Sequence, residues 1–482
     1  MFHRTFAALS ERSGVPPDFL KVTACLIFSC VLSPILPRLL SARMRHITNI
    51  GVSLFFLCGI LELYNGTLQL VASALVVYLI VKYKIGGKHR FAWVAFAFEM
   101  AHILATHVAR LHLPLTTIEI SAMHMVLCMN ITSFAWDCYD GQVLTKEECD
   151  ASQRATRVTE MPPLLDYFGY CFYFPGVLVG PSTRFRDYSA WAAGTMYLPS
   201  KVPPPGRFAS AARGILFGFV VLGLQAFLYE SCSYARLSDL SDPIQHTPLW
   251  YRLAFVQLAG LVARFRYFSV WSLSDAACVL SGLGYAGIDP KTHKAVWTRC
   301  KNVYILRFEF ANNWKELMDA WNTNTSIWLR NNVYRRVAGK GRRPGTLGTL
   351  LTFGVSALWH GIAIGYYFTF LSGGLYLLLA RKLRHALRPI FYANVRTPDP
   401  DCYSWRAYTW AQILYSVVST ILVQITINFV AMSFLTLDLK PTLNAWRATA
   451  FYGHIILAVG LVAFQLGLGK ALRPYHIESK KQ

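Results

Sequence analysis

Long apolar runs alternate with short polar, mostly basic segments along this chain. Runs near 20–40, 48–64, 67–82, 91–110, 119–136, 164–180, 210–229, 249–270, 272–287, 347–380, 408–436 and 448–470 are candidates for membrane crossing. A helical crossing needs about 20 mostly apolar residues. The 347–380 run is long enough for two such helices, and several shorter runs suit tilted, broken or re-entrant segments. The pattern predicts an all-α polytopic membrane protein with about eleven transmembrane helices. No stretch is long and polar enough to form a separate soluble domain, so residues 1–482 are expected to be one integral-membrane domain.

Composition supports this reading. The chain is 54% hydrophobic and 15% charged, against about 25% charged for an average soluble domain. The net charge of +22 is split among short inter-span loops. That distribution fits basic cytoplasmic loops and argues against nucleic acid as a partner. Arg38, Arg43 and Arg45 precede one run, and Lys82, Lys84, Lys88 and Arg90 follow the next, with a turn expected at Asn65-Gly66. Two crossings then put both basic flanks on one side. The eleven cysteines form no Cys-x-x-Cys pair and mostly lie in apolar runs, so they read as small buried hydrophobes.

Residues 303–343 break the apolar pattern. Phe310, Trp314, Leu317, Trp321, Thr325 and Trp328 recur at three- and four-residue steps, which predicts an amphipathic helix at the interface, with its tryptophans at headgroup depth. Asn322 sits among these apolar positions and needs a polar partner. The segment continues into Arg330, Arg335, Arg336, Lys340, Arg342 and Arg343. These six cations suit either a cytosolic basic loop or contacts to phosphate groups.

The next run holds Trp359-His360-Gly361, with no charged residue between Arg343 and Arg381. An ionisable group there is either a core histidine bonded to a neighbouring helix or a functional one. Burial among apolar residues favours the neutral imidazole, which accepts a proton. With Asn322 thirty-eight residues earlier, the two side chains make a minimal acyl-transfer pair. The histidine acts as base toward a hydroxyl, and the carboxamide donates to an oxyanion or orients the ring.

Other intramembrane polar groups are Glu99 with His102 and His107, expected to bond across helices, and Asp137 with Asp140 on one helix face. None of the thirteen histidines begins a His-x4-Asp motif, and no Asp-His-His-Cys or Gly-x-Ser-x-Gly sequence occurs. Gly282-Leu-Gly284-Tyr-Ala-Gly287 fits a dinucleotide-binding pattern but lacks a βαβ setting, so it reads as a turn or a close helix contact.

Four blocks carry a resemblance. They are Trp321-Asn322 with Trp328; Ala357-Leu358-Trp359-His360-Gly361; Ser133 through Asp137 and Asp140 to Gly141; and Pro162 through Gly176 to Pro181. A fifth runs from Cys278 to Tyr285. In this order they resemble the membrane-bound O-acyltransferase family, in particular its lysophospholipid acyltransferase branch, over roughly residues 45–470. The resemblance implies a helical fold around a buried reaction chamber. It implies acyl-CoA as co-substrate, a lysophospholipid as acceptor, His360 and Asn322 as catalytic pair, and no bound cofactor or metal. Trp321, Trp359, Asp137, Asp140, Asp275 and the six cations of 330–343 become expected substrate contacts. At Asp275-Ala276 the chain departs from the Glu-Gly of this branch, which leaves head-group preference open. The implied setting is the endoplasmic reticulum membrane, with phospholipid remodelling as the task and oligomeric state undetermined. Alternatives are another acceptor (sterol, diacylglycerol or a protein serine) or a polytopic transporter.

Overall fold

The structure is a computed structural model that describes residues 2–39, 41–114, 117–338, 345–392 and 408–477. Described residues are mostly helical, with one two-stranded antiparallel ribbon pairing Gly287 with Val296 and Ile288 with Ala295. Among them, six helices are long and apolar enough to cross a membrane: Pro17–Arg38, Tyr64–Tyr83, Phe91–Arg110, Arg207–Leu228, Leu249–Ser281 and Trp410–Thr436. A seventh crossing is made if Leu439–Ala448 and Tyr452–Gln465, bent by 78°, count as one.

This is fewer than eleven, for identifiable reasons. The runs 249–270 and 272–287 merge, because Leu249–Ser281 is one continuous helix of 33 residues. The helix ends where Gly282 takes φ 91°, so the glycine pattern there is a turn that leads into the ribbon. The 164–180 run holds only the eight-residue helix Leu164–Cys171. The 48–64 run is split between the end of Ala42–Leu54 and a π-turn at Phe55–Ile60. Asn65-Gly66 lies in the first turn of Tyr64–Tyr83 rather than in a loop. The 347–380 run does divide in two, into Thr346–His360 and Ile364–Phe391. The second of these is disqualified as an apolar crossing by the cations of its last turns.

The chain forms two compact units: Met1–Leu222 with Tyr267–Asn302, and Gly223–Arg266 with Val303–Gln482. In the first, Ser121–Gln142 is the central helix, with 17 of its 22 residues buried. A helix enclosed on all sides can hold polar residues only where neighbours satisfy them. Tyr64–Tyr83 and Phe91–Arg110 pack against it. An aromatic core of Phe134, Tyr167, Tyr170, Phe185, Tyr188 and Trp191 lies alongside. The ten described cysteines are all free and nine are buried; Cys402 lies outside the described residues. In the second unit Ile364–Phe391 packs along Trp410–Thr436 and against Thr346–His360. The tight approach is made at Gly365, whose N–H donates to Leu437 O at 2.7 Å.

The 303–343 segment is not one helix. Its described part comprises Ile305–Glu309, Trp314–Ala320, Thr323–Leu329, a π-turn at Arg330–Tyr334, and Arg335–Ala338. Two of the tryptophans expected at headgroup depth, Trp314 and Trp328, are instead core residues of the unit, and Trp321 is partly buried. Trp314 is buried, stacks on Tyr376 at 5.2 Å and donates from Nε1 to Thr426 Oγ1 at 3.1 Å. Trp328 is buried too. The amphipathic spacing was present, but its apolar face, apart from the exposed Phe310, turns toward protein.

Candidate functional site

Asn322 and His360 both belong to the second unit, and each stands at a helix end. Asn322 caps Thr323–Leu329 with φ 43° and ψ 53°. Asparagine is among the few residues that enter this left-handed region readily. Its carbonyl accepts from Ser326 N at 3.0 Å, and Thr325 Oγ1 donates to its Oδ1 at 2.9 Å. The second bond fixes the carboxamide, identifying Oδ1 as acceptor and Nδ2 as donor. Ser326 Oγ donates to Met318 O at 3.1 Å and ties the turn to the preceding helix.

His360 is the last residue of Thr346–His360, and Gly361 ends the helix at φ 143°, a conformation open to glycine alone. The half-buried imidazole stacks on Phe370 at 4.9 Å between centroids and meets the edge of Phe434 at 5.1 Å. Trp359 and Tyr366 lie at 4.6 and 5.8 Å. The ring therefore has apolar walls, while its position at a helix C-terminus exposes it to the partial negative charge of the last carbonyls.

The helices carrying these two residues pack together. Trp328, six residues past Asn322, meets Trp359, the neighbour of His360, at 5.8 Å. Trp321 lies against Phe308 at 4.9 Å. Arg330 and Arg335 are exposed and Arg336 is half-buried, with its Nε donating to Asn331 O at 3.2 Å. Lys340, Arg342 and Arg343 lie outside the described residues.

The three aspartates expected at the site belong to the first unit. Asp137 is fully buried; its Oδ1 accepts from Thr156 Oγ1 at 2.9 Å and from Arg184 Nη2. Asp140 accepts from Gln153 Nε2 at 3.0 Å. Both carboxylates thus tie the central helix to the segment that follows it. Asp275 has a buried Oδ1 without a hydrogen-bond partner among the described residues.

Sequence reasoning missed a buried cation. Arg264 makes two 2.8 Å bonds to Glu309, donates a third to Asn428 Oδ1, and lies over the ring of Phe308 at 5.3 Å. Arg264, deep in the 249–270 run with Arg266 two residues on, was the available signal. Also missed was a cavity of about 830 Å³ in the first unit, lined by Lys146, Arg154, Arg157 and Arg186 against a single carboxylate, Glu160. Its loops looked merely polar in sequence.

Comparison with known proteins bears on this arrangement. A sequence model of the membrane-bound O-acyltransferase family matches residues 68–424. The chain is 35% identical to a lysophospholipid acyltransferase of Schizosaccharomyces pombe over 95% of its own length and 88% of the relative's. It is 33% identical to a lysophospholipid acyltransferase of Saccharomyces cerevisiae, covering 94% and 75% respectively. With membrane-bound glycerophospholipid O-acyltransferase 1 of Mus musculus the identity is 27%, over 93% and 90%.

Proposed function

We propose, from the premise that this chain belongs to the membrane-bound O-acyltransferase family, that it transfers an acyl group from acyl-CoA to a lysophospholipid. The reading places it as a multi-pass protein of the endoplasmic reticulum membrane acting in phospholipid remodelling. That the relatives at 35% and 33% identity are lysophospholipid acyltransferases supports the acceptor class. The observation that carries the site is the packing of Trp328 on Trp359, which couples the helix capped by Asn322 to the helix ended by His360.

In this reading His360 is the general base. Its apolar walls keep the resting imidazole neutral, and the helix C-terminus stabilises the imidazolium formed when it takes a proton. The proton comes from the free glycerol hydroxyl of the lysolipid, and the oxygen attacks the thioester carbonyl. Asn322 Nδ2 donates to the oxyanion or to the attacking group. Collapse of the tetrahedral intermediate breaks the C–S bond, and the thiolate leaves with the proton held by His360. The product is a diacyl phospholipid and free CoA, with no acyl-enzyme.

Trp321 and Trp359 would line the acyl path, and Arg330, Arg335, Arg336, Lys340, Arg342 and Arg343 would meet the CoA phosphates from the cytosol. Asp137, Asp140 and Asp275 remain substrate contacts only in a secondary sense. The first two are bonded within the first unit, and Asp137 Oδ2 and Asp275 Oδ1 both have acceptor capacity to spare.

The test is acylation of a panel of lysolipids, sterol and diacylglycerol by microsomes containing the protein, read by lipid mass spectrometry. The expected result is a new diacyl phospholipid, with His360→Ala lowering its rate by roughly 10²-fold or more. Unimpaired turnover by His360→Ala, or a product formed only on sterol or diacylglycerol, overturns the proposal.

A further inference from the structure

A carboxylate and two imidazoles meet inside the first unit, apart from any residue assigned above. Glu99 and His102 lie one turn apart on Phe91–Arg110 and so share a face. His124 comes from Ser121–Gln142. Glu99 and His124 are fully buried and His102 is partly exposed. One ligand-type atom from each lies within 4.8 Å of the others. The sequence pattern led Glu99, His102 and His107 to be expected to bond across helices; for Glu99 the partner is His124.

The hydrogens around this cluster follow from which way the Ser73 and Thr106 hydroxyls point. Ser73 Oγ lies 2.6 Å from Glu99 Oε2. A carboxylate only accepts, so the single serine proton goes there. The serine oxygen then accepts from His102 Nδ1–H at 3.1 Å. Thr106 Oγ1 donates to His102 O at 3.2 Å and accepts from His124 Nδ1–H at 2.9 Å. In that arrangement both imidazoles are protonated at Nδ1 and present Nε2 as a ligand; with Thr106 donating to His124 Nδ1 instead, His124 carries its proton on Nε2. His124 Nε2 lies 2.9 Å from Glu99 Oε1. The gap is bridged by a cation: a proton carried on His124 Nε2, or a metal ion in its place.

We propose that the cation is a divalent transition metal of the zinc class, held by Glu99, His102 Nε2 and His124 Nε2, with water in the fourth position. A proton would account for the Glu99–His124 contact alone. It gives no role to the second imidazole or to two hydroxyls that hold the remote nitrogen of each ring, which is the outer arrangement that metal-bound histidines require. Metal–nitrogen and metal–oxygen bonds of about 2.0–2.2 Å place tetrahedral ligand atoms roughly 3.4 Å apart. Small side-chain rotations reach that spacing from the observed one. The partly exposed His102 is the side from which the ion enters. The site draws on Tyr64–Tyr83 through Ser73 and on both helices that supply ligands, so the ion ties three helices together. It departs from the metal-free expectation carried by the family resemblance and does not depend on the acyl-transfer reading.

The full-length protein, carrying an affinity tag without histidines, is purified in detergent, incubated with Zn²⁺, freed of unbound ion and analysed by elemental mass spectrometry. About one zinc per chain is expected, falling to background in His102→Ala and His124→Ala. Loading with Co²⁺ instead gives the visible absorption of a four-coordinate nitrogen/oxygen site, lost in His102→Ala. If monodisperse wild-type protein that still acylates lysolipid keeps no zinc and shows no Co²⁺ band, the inference is wrong and a proton joins Glu99 to His124. Equal zinc content in wild type and in folded His102→Ala overturns it as well.

Discussion

Replacing one member of the Arg264–Glu309 pair tests how the second unit is held together. The guanidinium and carboxylate share two bonds of 2.8 Å, with side chains exposed to only 10% and 20%. At about 4 Å and an effective dielectric near 20, two unit charges attract by about 4 kcal/mol. Removing one leaves the other buried and unpaired, a loss of about 3–5 kcal/mol. For a cooperative unit of roughly 200 residues, each kcal/mol moves the melting midpoint by about 2–4 °C. Arg264→Met or Glu309→Leu alone is therefore expected to lower the midpoint by roughly 6–20 °C. The measurement is fluorescence-detected size exclusion of heated, detergent-solubilised protein. The double variant recovers most of the loss, because no charge is then stranded. Arg264 also covers Phe308, which abuts Trp321 beside Asn322, so acylation should fall in the single variants even well below their midpoints. Single variants within about 2 °C of wild type, the scale of a screened surface pair, would refute the argument. So would a double variant no better than the worse single.

Further outcomes follow from individual positions. Asn322→Gly keeps the left-handed turn and removes the carboxamide. Its melting midpoint should stay near wild type while turnover drops by about 10²–10³-fold, the scale of one lost oxyanion donor; full turnover would exclude Asn322 from the chemistry. Gly365→Ala puts a Cβ 2.1 Å from Ser433 O and 2.7 Å from Leu437 O. Backbone cannot yield there, so little monodisperse protein should be recovered on gel filtration. Asp242, in the loop before Leu249–Ser281, is held below the ordinary carboxylate range by its hydrogen bond from Arg236. Its contribution to stability is present above the unfolded value of about 3.9 and is lost as pH falls through the lower folded value. Asp242→Asn should thus cost at most about 1 kcal/mol at pH 7 and nothing near pH 2, measured by urea unfolding at the two pH values.

What the chain determined by itself is what local chemistry can specify. Run length and apolar content identified the helices Pro17–Arg38, Tyr64–Tyr83, Phe91–Arg110, Arg207–Leu228 and Trp410–Thr436, because a crossing must satisfy its backbone within one segment. The motif blocks marked the family, while the glycines at 282–287 left a turn and a close helix contact open until the structure showed the turn. Tertiary structure decided where the apolar faces turn. The spacing of Trp314 and Trp328 is the same whether lipid or protein covers them, and only packing against Tyr376 and Trp359 chose protein. It also decided the partners of buried charge. Glu99 finds His124, and Arg264 finds Glu309 forty-five residues away. Such pairings are set by which helix faces meet, and no periodicity within a single helix encodes that.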